Sequence, residues 1–139
     1  MKSPAPRTSS DEGVIDAARA ALGDLLSDAA EHAFEVTLTV HRRDLYKALE
    51  TLRDTPGLEY QQLMEITGVD YPERPERFEV NYCLLSLTRN RRIRVKTLTD
   101  EKHPVPSVVD LWPVAGWLER EVWDMYGVRF DGNPDHRRI

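Results

Sequence analysis

The stretch from Arg77 to Leu98 sets the tightest limit on what this chain can fold into. "RFEVNYCLLSL" (Arg77–Leu87) and "RIRVKTL" (Arg92–Leu98) are rich in β-branched and aromatic residues. They flank "TRN", which has no glycine but carries Asn90, a residue that tolerates turn conformations, so the pair reads as a hairpin. The first strand is apolar on both faces from Tyr82 to Leu87, which places it centrally in a sheet. The second alternates Ile93 and Val95 with Arg92, Arg94 and Lys96, so one of its faces is wet.

The rest of the chain supplies what such a sheet needs. Val14, Ala18, Ala21, Leu22, Leu25 and Leu26 recur at helical spacing, after a Ser9/Glu12 capping box, and predict a helix over about 11–30. Phe34, Val36, Leu38 and Val40 alternate with Glu35, Thr37 and Thr39, the pattern of a strand over Phe34–His41. "RDLYKALETLRD" puts Leu45, Ala48, Leu49 and Leu52 on one helical stripe, ended by Pro56-Gly57. "EYQQLMEITGVDYP" fits either a helical turn or a strand. Ile66, Thr67, Val69 and Tyr71 favour a strand at its end, with Gly68 as a bulge or a close approach. "DEKHPVPS" is a proline-rich loop in which Ser107 could cap a short helix. Pro113 opens a last helix running to about Tyr126, with Gly127 as its C-cap. There is no internal repeat. The order predicts an α+β fold, a two-layer domain with a mixed sheet and helices packed on it. Residues 1–10, rich in proline and serine, read as a disordered tail ahead of a domain over 11–130.

A chain of 139 residues can build one core without staples. Its net charge of -5 speaks against nucleic acid as a partner. The single cysteine, Cys83, cannot by itself hold an iron–sulfur cluster or a zinc ion, and its place in an apolar strand marks a small core residue. The longest uncharged run, Val80 to Thr88, is far short of the roughly 20 residues of a membrane span. "MKSPAPRTSS" has no apolar core of a signal peptide.

Glu119, Glu121 and Asp124 are the first candidates for chemistry. Glu121 and Asp124 share a helix face with Trp117, beside an apolar stripe of Leu118, Val122 and Met125. Two carboxylates in a partly apolar setting can do acid–base work, as in a free-standing hydrolase. No histidine or nucleophile joins them at local spacing, so pairing with arginines such as Arg120, Arg137 or Arg138 is the commoner explanation. "DGNPD" (Asp131–Asp135) starts like a calcium loop, but the sixth position, which needs glycine, is His136. His32, His41, His103 and His136 are scattered and give no zinc spacing. Phosphate loops and a GxSxG turn are absent. "RNRRIRVK" (Arg89–Lys96) could meet phosphates, yet it lacks interleaved aromatics and reads first as a solvated hairpin or an interface. Trp112, Trp117, Trp123 and Tyr126 beside arginines are the residues of interface centres. On residues alone this is an interaction module.

"WLEREVWDMYGVRFDGNPDHRRI" (Trp117–Ile139) resembles the signature of the 30 kDa subunit family, the C subunits, of respiratory complex I, the proton-pumping NADH:quinone oxidoreductase. The family positions fall on Glu119, Arg120, Glu121, Asp124, Met125, Tyr126, Gly127, Phe130, Gly132, Pro134, Asp135, Arg137 and Arg138. "TGVDYP" (67–72), 77–96 and 105–121 match as well, so the resemblance covers roughly 35–139. Asn133 stands where the family usually has histidine, and His136 where it usually has leucine. Asn133 can still donate a hydrogen bond but cannot titrate near neutral pH.

The resemblance implies a non-catalytic structural subunit of the hydrophilic arm. It would carry no cofactor of its own, with NADH, FMN, iron–sulfur clusters and quinone bound by partner subunits. It would dock the quinone-site D subunit, close to the B and I subunits, through Glu119, Arg120, Glu121, Asp124, Tyr126, Gly127, Gly132, Pro134, Asp135, Arg137 and Arg138. The expected place is peripheral, on the cytoplasmic side of the bacterial inner membrane, with membrane contact only through the complex. Family members usually continue past the arginine pair along their neighbours. Residues 131–139 therefore read as the start of a partner-docking segment, cut short at Ile139. The equivalent component of a membrane-bound hydrogenase or related dehydrogenase arm fits the same residues.

Overall fold

The computed structural model describes residues 13–33 and 35–134. The Ser9/Glu12 capping box, the 1–10 tail, Phe34, Asp135, His136, Arg137 and Arg138 lie outside the described residues.

Helix α1 (Val14–Leu22) buries Val14, Ala18 and Leu22, the expected stripe, but it stops well short of residue 30. Gly23 adopts a positive φ of 54°, a single 3₁₀ turn follows, and the chain then leaves as strand β1 (Leu26–His32). The helical pattern had nothing to bury beyond Leu26: Ser27, Asp28, Ala30 and Glu31 are exposed. Backbone pairing along a neighbouring strand overrode the helix propensity of the alanines. That neighbour is β2 (Glu35–Val40), antiparallel to β1, whose Val36, Leu38 and Val40 alternate inward as expected.

Helix α2 (Leu45–Asp54) buries Leu45, Ala48, Leu49 and Leu52 completely. The ambiguous stretch resolves as strand β3 (Gln62–Asp70), and the hairpin as β4 (Phe78–Ser86) and β5 (Arg91–Thr99). Asn90 takes the left-handed conformation at φ 53° in the turn, the role its short amide side chain suits. The sheet order is β1-β2-β5-β4-β3, with β2 and β5 parallel and the other neighbours antiparallel. This is the mixed sheet expected, with β4 and β5 both internal. Tyr82 faces Val95, and Leu38 faces Val95 from the other side, so one row of side chains crosses the sheet on its covered face. Both helices contribute to the core on that face.

A second, two-stranded parallel ladder joins β6 (Val105–Pro106) to β7 (Phe130–Asp131). It clips together the segments before and after the last helix, α3 (Ala115–Tyr126). Gly127 caps α3 as expected, at φ 80° with its N–H on the Trp123 carbonyl at 2.8 Å. Ser107 does not cap a helix. Its hydroxyl accepts the Val109 N–H at 3.2 Å and stabilises one turn. Pro113 lies in the tight turn before α3, not inside it.

Trp112 is core, holding the loop before α3 to the start of β3: its indole N–H donates to the Gln61 carbonyl at 2.7 Å. Trp112→Phe keeps a large ring and strands that carbonyl, so it should lower stability by about 1 kcal/mol. An unchanged urea midpoint would mean the bond contributes nothing.

Candidate functional site

The signature helix α3 has two chemically different sides. Toward the interior, Glu119 is fully buried, and no arginine meets it among the described residues. Its Oε1 accepts from the Ser107 hydroxyl at 2.7 Å and from the Asn133 side-chain amide at 2.9 Å, while Oε2 accepts the Val108 N–H at 2.8 Å. Asn133 also donates to the Gly116 carbonyl at 3.1 Å. One carboxylate thus ties α3 to the loop after β6 and to the turn after β7. Burial pushes the Glu119 carboxyl above the ordinary carboxylate range, and the Val108, Ser107 and Asn133 donors oppose that rise by favouring the ion. The fully buried Tyr82 hydroxyl is pushed up by burial first and by the Glu119 charge second.

Among the described residues the expected pairing with arginines is seen for Asp124, 3.8 Å from Arg120 at i,i+4, and for neither Glu119 nor Glu121, while Arg137 and Arg138 lie outside the described residues. Sequence reasoning placed Glu119 among the docking groups. The fold makes it a positioning residue whose carboxylate has no open face. Its partners Ser107, Val108 and Asn133 were missed, because contacts eleven to fourteen residues apart leave no periodic signal. The one available hint was Asn133, a hydrogen-bond donor kept where the family usually has histidine.

The outward side of α3 is exposed. Trp117 and Met125 are 63% and 74% exposed, beside exposed Glu121 and Asp124. Met125 was expected in the apolar stripe with Leu118 and Val122. Instead the inward line runs on to Tyr126, whose ring rests on Gly68. A Cβ at Gly68 would lie 2.8 Å from two atoms of that ring. Gly68 is therefore a close approach and not a bulge: it pairs in register with Val80, and the irregularity falls at Leu63/Glu65. Tyr126 also meets the Phe78 ring, with centroids 6.4 Å apart. Between α3 and β3 runs an open groove with Met64, Glu65 and Thr67 on the strand side and Trp117, Glu121, Asp124 and Met125 on the helix side.

The remaining signature residues act through the backbone or lie at its end. Gly132 takes φ 95° in the turn that brings Asn133 back to α3, and Pro134 is exposed.

The other candidates take simpler places. Cys83 is half-buried, not core, because Tyr82 and Leu84 occupy the covered face and strand alternation turns it to the other. Its sulfur lies 3.8 Å from Glu65, and burial pushes the thiol up, away from a nucleophilic thiolate. In the basic run, Arg94 pairs with Glu35 at 3.2 Å, Arg89 with Glu59 at 3.3 Å, and Lys96 with Glu79 at 3.8 Å. Those partners offset three of its five cationic side chains and fit a solvated hairpin. Among the described residues no group of three or more His, Cys, Asp or Glu could hold a metal ion, and no helix is long and apolar enough to cross a membrane.

A family model described as "Respiratory-chain NADH dehydrogenase, 30 Kd subunit" matches residues 38–139. The chain is 60% identical over 135 residues to the C subunit of NADH-quinone oxidoreductase from Novosphingobium aromaticivorans, covering 97% of this chain and 43% of that one. It is 59% identical over 135 residues to the C subunit of the same enzyme from Erythrobacter litoralis, covering 97% and 53%. The chain therefore spans about half the length of these curated relatives. Among solved structures it matches a chain of the membrane-bound sulfane sulfur reductase, an archaeal respiratory membrane complex. The TM-score is 0.74 at 25% identity, over 89% of this chain and 72% of that one. By the family match over 38–139 and the identity to these relatives, the chain belongs to the 30 kDa subunit family of the respiratory-chain NADH dehydrogenase.

Proposed function

We propose that this chain is the folded core of a scaffold subunit in the hydrophilic arm of a proton-translocating NADH:quinone oxidoreductase. In this reading it supports electron transfer from NADH to quinone by holding the quinone-site D subunit, with the B and I subunits nearby. NADH, FMN, iron–sulfur clusters and quinone are bound by those and other partners. It sits peripherally on the cytoplasmic side of the bacterial inner membrane. One observation carries the reading: the signature helix turns Trp117, Glu121, Asp124 and Met125 outward together. Exposed tryptophan and methionine are residues in which interface centres are enriched, and the carboxylates beside them suit the polar rim. Arg120 lies 3.8 Å from Asp124, a solvent-exposed pair, while Tyr126, Gly127, Gly132 and Pro134 fix the course of the chain around the helix. Asp135, Arg137 and Arg138, outside the described residues, belong to the docking set in this reading. Glu119 acts from beneath, by keeping α3 on its loop.

Glu121→Gln tests this. The side chain is exposed in the isolated chain, so the fold should survive. A charge pair desolvated in the complex and then deprived of one partner costs about 2–5 kcal/mol. Retention of the quinone-site subunit in a pull-down should fall by at least about tenfold. Unchanged retention would remove Glu121 from the interface.

The likeness to the archaeal sulfane sulfur reductase complex supports a second reading, the equivalent component of a membrane-bound hydrogenase or related dehydrogenase arm. The identity of the co-purifying subunits separates the two.

A further inference from the structure

We propose that the free edge of β3 takes up an extended, lysine- or arginine-bearing segment of a neighbouring subunit as an additional strand, seated in the groove beside α3. This rests on the scaffold reading above and names the chemistry of one partner element.

The sheet has two outer strands, β1 and β3. An outer strand offers a row of N–H and C=O groups to any chain that can pair with it, and proteins usually blunt such edges with charge and small residues. β1 is blunted in this way: Ser27, Asp28, Ala30, Glu31 and His32 are its exposed side chains. β3 differs. It is nine residues long, Met64 is 45% exposed on it, and Trp117 and Met125 of α3 stand over its groove. Strand addition uses this combination: main-chain hydrogen bonds along the edge supply affinity, and alternate side chains reach an adjacent apolar pocket. Methionine adapts its shape to such contacts.

Charge selects the occupant. Among the described residues the groove is lined by Glu65, Glu121 and Asp124 against Arg120, three carboxylates to one guanidinium. A cationic segment is complementary. A second copy of this chain, pairing β3 to β3, would bring two such acidic grooves together, and an acidic peptide would be repelled in the same way.

The test uses the assembled complex with the full-length protein. A photo-crosslinking benzophenone amino acid replaces Met64 or, separately, Met125, and the irradiated complex is digested for mass spectrometry. Both positions should trap the same short segment of another subunit, and that segment should carry lysine or arginine. Combining Glu121→Lys with Asp124→Lys should cut the Met125 crosslink at least about tenfold, the size expected of like-charge juxtaposition. Amide exchange in the intact complex tests strand pairing itself, because β3 amides facing the free edge should exchange far more slowly than those of an unstructured peptide. Crosslinks to a second copy of this chain, to a segment without basic residues, or to no subunit overturn the proposal, as do edge amides exchanging at the unprotected rate. If the complex assembles and only these readouts fail, the scaffold reading stands. If the chain does not co-purify with other subunits at all, both fail.

Discussion

Glu119→Ala should lower the stability of this chain by about 2–4 kcal/mol, the scale of leaving buried donors unpaired. The substitution takes the acceptor from three groups at once, the Ser107 hydroxyl, the Val108 N–H and the Asn133 amide. They are not equally stranded. Asn133 keeps the Gly116 carbonyl, and Ser107 still accepts the Val109 N–H, so the Val108 N–H loses most. Relief from burying a carboxylate offsets part of the loss, which keeps the figure below a simple sum. Glu119→Gln should fall between, since its amide oxygen can serve two donors while its NH₂ points at the third. Urea unfolding of the three proteins checks the order, and an alanine variant as stable as the parent would show that the clip is dispensable.

The same carboxyl predicts a pH dependence. Its folded-state pKa lies above the ordinary value of 4.5, so its favourable contribution is fully present below that value and is lost as pH rises through the raised pKa. The stability advantage of the parent over Glu119→Gln should therefore shrink with rising pH in the window above 4.5. Asp54, Asp70 and Asp100 work in the opposite sense. Their pKa values are held down, chiefly by the Arg53, Arg77 and His103 side chains respectively, so their contributions are lost as pH falls through the depressed pKa values. An advantage that grew with pH would contradict the assignment of burial as the dominant influence on Glu119.

Gly68→Val should cost about 1–3 kcal/mol, although valine in a strand is ordinarily favoured over glycine. The sign is set by one contact. A Cβ at this position would sit 2.8 Å from the Tyr126 ring, with Val122 at 3.5 Å behind it. Tyr126 cannot yield freely because its ring also packs against Phe78. Adding Tyr126→Ala should remove most of the extra cost, so the double variant should be more stable than the two single effects summed. Strict additivity would mean the contact is not what excludes a side chain there.

How far the sequence could be read depended on how local each determinant was. Alternation along Glu35–Val40 and β5, the apolar run that puts β4 inside the sheet, the stripe of α2, and glycine after Tyr126 all act within a few residues, and each was legible. The helix extended to residue 30 failed because β1 exists only through pairing with β2, a partner that no local propensity names. Met125 and Tyr126 exchanged roles for a similar reason: helical spacing allows either to face inward, and the space above Gly68 admits the ring. At the candidate site, the residue types and their outward face on α3 were readable. That Glu119 belongs to the interior was not.

By itself, then, the sequence determined the fold class, most of the elements and the family, because periodicity and an ordered signature are properties of neighbouring residues. Only the tertiary structure decided which of three similar acids is buried, which aromatic is core and which is exposed, and which sheet edge lies open beside an acidic groove. Those outcomes depend on what stands opposite each side chain across the fold, and opposition in space is set by packing and pairing between distant segments.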